Sequence, residues 1–140
     1  MKLLPSNAEQ PRTQPRARIL RYVSLGLRIL AAVVFLAAAA AKLSGAPAMV
    51  QAFDQIGIGQ WFRIVTGIVE VIGGIAVLIP ATTFLGGLLL SATMIGALLA
   101  HSFLIEGSPV PALALLLITA VIAWQHRPNG PAAAARAARA

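Results

Sequence analysis

Four long apolar runs dominate the sequence and limit what it can fold into. They cover residues 22–43, 61–79, 84–105 and 110–124. The first three come close to the roughly 20 residues that a helix, rising about 1.5 Å per residue, needs to cross about 30 Å of hydrocarbon. The fourth is shorter. We expect it to span as well, from residue 110 to residue 126, with its flanking residues in the headgroup regions.

The composition indicates lipid rather than water as the solvent for these runs. The 140-residue chain is 59% hydrophobic and only 11% charged, and the charged share is about half that of a typical soluble domain. A chain of this length cannot bury four helices that are apolar on all sides in one water-soluble core. Solid apolar runs also differ from the alternating pattern of membrane barrels. The sequence therefore predicts an all-α integral membrane bundle of four transmembrane helices.

The remaining segments are shorter and more polar. We expect residues 1–21 to be a disordered basic segment, and residues 22–126 to form the transmembrane domain with spans 22–43, 61–79, 84–105 and 110–126. We expect residues 46–58 to form an outer amphipathic segment and residues 127–140 to form a disordered or interfacial tail. Because the first apolar run follows about twenty polar residues and is long, it favours a retained span over a cleaved signal peptide, although small residues after it leave cleavage open.

The positive charge indicates the orientation. The net charge is +7, and eight of the eleven Lys and Arg residues lie before residue 22 or after residue 126. Cytoplasmic flanks collect such residues, and an even number of spans places both termini on one side. We therefore predict cytoplasmic termini in a bacterial inner membrane, with the basic ends contacting lipid rather than nucleic acid.

Two charged residues inside the second span raise the question of what they do. Arg63, Gly67, Glu70 and Gly74 recur at the spacing of one helix face. Glu70 falls near the middle of the membrane, where an ionised carboxylate costs about 2.5 to 3.5 kcal/mol on insertion scales. We expect Glu70 to face the bundle interior and to be protonated or paired. A purely structural pair with Arg63, two turns away, is the main alternative to a functional role.

Other polar residues extend this set into a candidate ligand pocket. Lys42 ends the first span, and Thr93 and His101 share one face of the third. If these helices are neighbours, the side chains converge with Arg63 and Glu70 in the outer half of the bundle and form a polar pocket that opens outward. A neutral His101 bonded to a neighbouring helix is the simpler alternative for that residue.

Three residues near the ends of the spans have simpler interpretations. Trp61 marks the outer entry of the second span, as interfacial tryptophans do, and is included in the candidate pocket. Arg28 and Lys42 lie within a side chain's length of water, so we expect them to extend towards the membrane surface.

No catalytic or metal-binding pattern accompanies these residues. Cysteine is absent, which excludes thiol chemistry, and the two histidines do not have the spacing of a metal site. The sequence contains no nucleotide-binding loop, nucleophile elbow or zinc-protease motif. We predict no catalytic residue, no metal and no covalently bound cofactor, and we do not expect redox turnover by this chain alone.

Several stretches resemble the DoxX-like family of small four-helix membrane proteins. They are "AAKLSG" at 40–45, "FDQIGIGQWFRIVTGIVEVIGGIAVLIP" at 53–80, "GALLAHSFLIEGSPVPALALLL" at 96–117 and "AWQHRP" at 123–128. Together they cover about residues 25–128. The positions that match the family pattern are Lys42, Trp61, Arg63, Glu70 and His101.

The resemblance implies a four-helix bundle in a bacterial cytoplasmic membrane, in some relatives linked to redox physiology. DoxD-type relatives are similar to subunits of thiosulfate:quinone oxidoreductase. Some redox-associated relatives use cysteine, which this chain lacks.

Three hypotheses about function follow. In the first, a quinone or similar lipid-soluble ligand binds His101 and Glu70 within an apolar wall, as small-ligand sites do. In the second, the chain is a non-catalytic assembly factor or an accessory subunit of a membrane oxidoreductase. In the third, which we favour least, Glu70 carries protons in a small transporter that works as a homo-oligomer.

Overall fold

The computed structural model describes residues 15–130 together with residues 134, 137 and 138. No strand occurs in this part of the chain, which confirms the all-α prediction. The helices are α1 (Pro15–Leu43), α2 (Pro47–Ile56), α3 (Gln60–Leu78), α4 (Thr83–Phe103) and α5 (Val110–His126).

The four long helices pack as a bundle around one core. Each of α1, α3 and α4 packs along the next long helix in the chain, and α5 returns to α1 over a shorter stretch, which closes the ring. Successive long helices run antiparallel, and α2 lies across one end against α3 and α1. We call this end, where α3 begins, the Trp61 end, and the opposite end, where α5 finishes, the Trp124 end.

Three helices, α1, α3 and α4, are long and apolar enough to cross a membrane. The fourth helix of the bundle, α5, has 17 residues and is apolar but shorter. The number of spans and the side on which each terminus lies stay predictions.

Two helix bounds refine the sequence-based scheme. Helix α1 begins at Pro15, so residues 15–21 are helical where we expected disorder, while residues 1–14 lie outside the described part. Proline suits this position because the first turn of a helix needs no backbone N–H from it. Helix α2 falls inside the predicted amphipathic segment and ends at Gly57, whose φ of 79° favours glycine.

The core of the bundle is small and its perimeter is apolar. Phe35, Val77, Leu90 and Ile122 are fully buried and belong to one cluster. Large aliphatic side chains on the outside are instead well exposed, such as Leu85 at 61%. A soluble protein rarely exposes so continuous an apolar surface, whereas lipid tails solvate it without penalty.

Glycine allows α3 and α4 to approach closely. A Cβ atom added at Gly86 would lie 2.7 Å from the backbone nitrogen of Val77 and 2.8 Å from the Cβ of Ala76. Backbone atoms cannot move aside as a flexible side chain can. Gly86 is therefore required by the contact with α3, in keeping with the small-residue packing of membrane helices.

Arg28 joins α1 to the end of α3, and our expectation that it extends to the membrane surface is wrong. The side chain is buried. Its Nε donates to the carbonyl oxygen of Val77 at 2.6 Å, and its Nη2 donates to that of Leu78. The last carbonyls of a helix lack intrahelical partners and carry partial negative charge, so a guanidinium satisfies both needs at once.

The glycine contact gives the first prediction. Gly86→Ala should lower the melting temperature of the detergent-solubilised protein, by an amount equivalent to about 1 to 3 kcal/mol, because the methyl group forces α3 and α4 apart. Gly96→Ala is the matched control on the same helix, since nothing lies within 4 Å of its added Cβ. Equal melting temperatures for the two variants would contradict the assigned contact.

Candidate functional site

A buried ion pair between α1 and α3 is the centre of the candidate site. The Nζ of Lys42 lies 3.1 Å from Oε1 and 2.9 Å from Oε2 of Glu70. Glu70 is only 1% exposed. The ammonium therefore contacts both carboxylate oxygens in a region that excludes solvent.

The position of Glu70 explains why it needs this partner. It is ten residues from Gln60, the first residue of α3, or about 15 Å along the helix axis. No side chain can reach water from the middle of a bundle of this length, so an unpaired carboxylate there would be costly. The prediction that Glu70 turns inward and is paired is confirmed. Its partner is Lys42, so our expectation that Lys42 extends to the surface is wrong.

Arg63 supports the Lys42–Glu70 pair by bonding to the backbone of Lys42. Its Nη1 donates to the carbonyl oxygen of Lys42, and its Nε donates to Oε1 of Gln60 at 2.6 Å. The predicted alternative was a structural pair of Arg63 with Glu70. Arg63 instead contacts Gln60 and the backbone of Lys42, nearer the Trp61 end. Arg63 fixes the last turn of α1, from which Lys42 extends.

The same network holds α2 across the Trp61 end. The amide Nε2 of Gln60 donates to Oδ1 of Asp54 at 2.6 Å and to the carbonyl oxygen of Val50 at 3.0 Å. Phe53 packs edge-on against Phe62, with ring centroids 5.9 Å apart. Helix α2 is therefore attached by both polar and aromatic contacts to the first turn of α3.

Two residues of the predicted ligand pocket, Trp61 and Thr93, form their hydrogen bonds away from the Lys42–Glu70 pair. Trp61 is exposed, and its indole N–H donates to the carbonyl oxygen of Ile58 at 3.1 Å. The hydroxyl of Thr93 donates to the carbonyl oxygen of Leu89 in its own helix at 3.0 Å. The structure thus brings together Lys42, Glu70 and Arg63, and it leaves Trp61 and Thr93 outside their hydrogen-bond network.

His101 differs from Trp61 and Thr93 in its hydrogen bonding. It follows Leu90 by eleven residues and Met94 by seven, which places it on the core-facing side of α4, near the Trp61 end. Its Nδ1 is buried and has no hydrogen-bond partner within the described residues. Buried polar atoms of side chains are nearly always bonded. An unbonded ring nitrogen therefore indicates a place where a further polar group could bind.

Gly107 lies close to this nitrogen. A Cβ atom added at Gly107, in the connection between α4 and α5, would lie 3.9 Å from Nδ1 of His101. The φ of Gly107 is 132°, a conformation that glycine adopts readily. The connection between α4 and α5 thus passes close to the ring nitrogen at a residue that has no side chain.

A shallow groove at the same end was not anticipated from the sequence. It has a volume of about 200 Å³ and is lined by Ala48, Gln51, Ala52, Gln55, Ile105 and Glu106. The backbone N–H of Glu106 donates to Oε1 of Gln55 at 3.3 Å, which connects the two walls. The amphipathic pattern of α2 indicated a polar face but not what it would pack beside.

A second polar contact that the sequence did not reveal joins α4 to α5. The hydroxyl oxygens of Ser91 and Thr119 lie 2.9 Å apart, and both residues are buried. Each hydroxyl also has a backbone carbonyl of its own helix within bonding distance. Such short hydroxyls satisfy themselves within a helix, so spacing alone does not identify the contact.

In the described part of the chain, no three His, Asp or Glu side chains lie close enough together to hold a metal ion. The candidate functional groups are the Lys42–Glu70 pair with its neighbour Arg63 and, without a hydrogen bond to them, the Nδ1 of His101.

The ion pair gives the second prediction. Lys42→Met should destabilise the protein by about 3 kcal/mol or more, because it leaves the Glu70 carboxylate buried without a counter-charge. Adding Glu70→Gln should recover part of that loss, so the double variant should melt above Lys42→Met. Thermal unfolding of the two single variants and the double variant in one detergent measures the coupling. Strictly additive effects would show that the pair does not act as a unit.

Comparisons with known proteins identify the family of the chain. A Bacillus subtilis (strain 168) protein described as "Putative oxidoreductase CatD" is 30% identical to the chain over 76 residues, which are 54% of this chain and 57% of that protein. The chain thus spans little more than half of that relative's length. No solved structure matches the chain significantly. The family model described as "DoxX-like family" matches residues 26–125. Because this match covers well over half of the chain and reaches into all four long helices, the chain is a membrane protein that belongs to the DoxX-like family.

Proposed function

We propose that this protein is a redox-linked component of a bacterial cytoplasmic membrane that binds a small lipid-soluble ligand of the quinone type beside His101. The observation that carries the proposal is the buried, unbonded Nδ1 of His101. A quinone carbonyl oxygen could accept a hydrogen bond from this nitrogen in its protonated tautomer. The apolar interior would hold the rest of the ring.

The charged residues have a supporting role in this proposal. Glu70 is already bonded through both oxygens to Lys42, so it is not the group that a ligand meets first. The Lys42–Glu70 pair instead holds α1 against α3. His101 then provides the directional contact, as the few polar groups of an apolar ligand site usually do.

The redox context is supported by the relative from Bacillus subtilis, whose name describes it as an oxidoreductase. The chain contains no cysteine, so a thiol reaction is outside its chemistry. We infer that it holds its ligand for a partner, as an accessory subunit of a membrane oxidoreductase. The saturated Lys42–Glu70 pair favours this accessory role over proton transport, which would require the pair to separate in each cycle.

For the arrangement in the membrane, we propose four spans with both termini in the cytoplasm. Helix α5 would be the fourth span, with Trp124 at the cytoplasmic interface and Trp61 at the outer one. Val77 of α3 lies beside Gly86, and Gly87 lies beside Ala123 of α5. Trp61 and Trp124 are thus about 24 Å apart along the bundle, which is shorter than the roughly 30 Å of an average hydrocarbon layer. The Trp61 end, with His101, would then face the periplasmic side.

Ligand-induced stabilisation tests the function and is the third prediction. Soluble analogues of ubiquinone and menaquinone should raise the melting temperature of the detergent-solubilised protein in a saturable manner, because only the folded state binds them. His101→Ala should abolish the shift while the ligand-free protein still unfolds cooperatively.

His126→Ala is the matched control for this experiment. His126 lies at the opposite end of the bundle, and its Nδ1 is 2.9 Å from the carbonyl oxygen of Ile122 in its own helix. This variant should keep the full stabilisation by quinone analogues. An unchanged melting temperature of the wild-type protein across the whole panel would remove the ligand-binding proposal and leave the accessory role without a ligand.

A further inference from the structure

The first turns of α1 project beyond the bundle. Arg28 binds the carbonyl oxygens at the last turn of α3, so the residues before it continue past the end of that helix. Residues 15–26 are exposed throughout, apart from the half-buried Ser24. At about 1.5 Å per residue this segment is about 18 Å long. It is a helix without a protein partner within the described part of the chain.

The projecting segment combines cationic and apolar side chains. Arg16, Arg18 and Arg21 lie within six residues of one another and are all exposed. Arg18 and Arg21 occupy one side of the helix, while Ile19 and Val23 occupy another. A helix with this composition is suited to the boundary between acyl chains and headgroups rather than to water or hydrocarbon alone.

The position along the bundle agrees with that composition. Arg21 precedes Arg28 by seven residues, or about 10 Å along the axis. The headgroup layer on each side of a bilayer is about 5 to 8 Å thick. With Arg28 near the edge of the hydrocarbon, Arg21 lies just outside the headgroup layer, and its long side chain can extend back to the lipid phosphates. Arg18 and Arg16 lie about 15 to 18 Å beyond Arg28 and place further positive charge at the lipid surface.

Acidic and basic residues are also distributed unequally between the two ends of the bundle. The chain has four acidic residues. The three in the described part are Glu70 at mid-bundle and Asp54 and Glu106 at the Trp61 end. At the Trp124 end, Arg16, Arg18 and Arg21 are exposed and form no ion pair with an acidic residue of the described part, and Arg127 stacks on Trp124 with its Cζ 4.0 Å from the ring centroid. Within the described part of the chain, this end therefore presents positive charge to which an external anion can bind.

We propose that the projecting helix, residues 15–26, is a binding site for the headgroups of anionic phospholipids. Arg21 contacts the phosphates, Arg16 and Arg18 attract the anionic headgroups from just outside them, and Val23 lies within the headgroup layer. The site concentrates anionic lipid around the Trp124 end. It is independent of any ligand at His101, which lies at the other end of the bundle.

Quenching of tryptophan fluorescence by brominated lipid tests this proposal, because the two tryptophans report on opposite ends. The full chain with Trp61→Phe keeps only Trp124, and the full chain with Trp124→Phe keeps only Trp61. Each is placed in phosphatidylcholine nanodiscs that contain an equal small fraction of either dibromo-phosphatidylglycerol or dibromo-phosphatidylcholine. Trp124 should detect phosphatidylglycerol at roughly five times its bulk share. Trp61 should detect no enrichment.

The arginines are then replaced in the Trp61→Phe background. Arg16→Gln, Arg18→Gln and Arg21→Gln together should abolish the enrichment at Trp124 and leave the melting temperature unchanged, since the segment lies outside the packed bundle. Lys2→Gln with Arg12→Gln is the control that removes charge from the same terminus but not from the projecting helix. It should keep most of the enrichment.

Two results would overturn the proposal. Equal quenching of Trp124 by the two brominated lipids would exclude an anionic lipid site and favour an acidic protein partner for this helix. Enrichment that survives the triple substitution would assign the lipid preference to another basic residue at this end, such as Arg127.

Discussion

The contact between the Lys42 ammonium and the Glu70 carboxylate determines how α1 and α3 can pack. Neither charge can be left alone in a medium that solvates ions poorly, so the two helices must adopt the one register that joins them. The same register places Arg28 at the last carbonyls of α3 and Arg63 beside the last turn of α1. Three cationic contacts, spread along the length of the interface, thus depend on one alignment.

The other half of the bundle is held differently. Between α4 and α5 the structure shows a contact of two hydroxyl groups, and Gly87 lies close to the backbone of Ala123. Between α3 and α4 the close approach relies on Gly86. These contacts are short-ranged and uncharged, so this half of the bundle, which includes His101, depends on close packing rather than on charge.

The cost of burying a charge predicted Glu70 correctly, because the argument needs only its distance from either end of the span. It could not identify the partner. Arg63 is seven residues from Glu70 in the same helix, about 10 Å along the axis, whereas Lys42 is brought near by the antiparallel register of another helix. That register is a tertiary property. A lysine also has a long, flexible stem, so a backbone position near the surface does not determine where its charge lies.

The burial of Arg28 could have been predicted from the helix face on which it lies. It shares a seven-residue spacing with Phe35 and Lys42, and Phe35 is fully buried. A residue on the same stripe as a core aromatic faces the bundle, even when its depth alone would allow it to reach water. Helix face was therefore a stronger guide than depth for all three residues. The groove beside α2 and the Ser91–Thr119 contact depend instead on how separate segments meet, and periodicity within one segment does not contain that information.

These contacts also constrain which residues could be involved in function. A carboxylate that is bonded through both oxygens can exchange protons or bind a ligand only if Lys42 moves, and Lys42 is held at its backbone by Arg63. Any mechanism that uses Glu70 directly must therefore disrupt the contact that aligns α1 with α3. His101 can acquire a partner without disrupting any hydrogen bond of its Nδ1. For the proposed ligand, this energetic difference favours contact at His101, which leaves the Lys42–Glu70 pair intact.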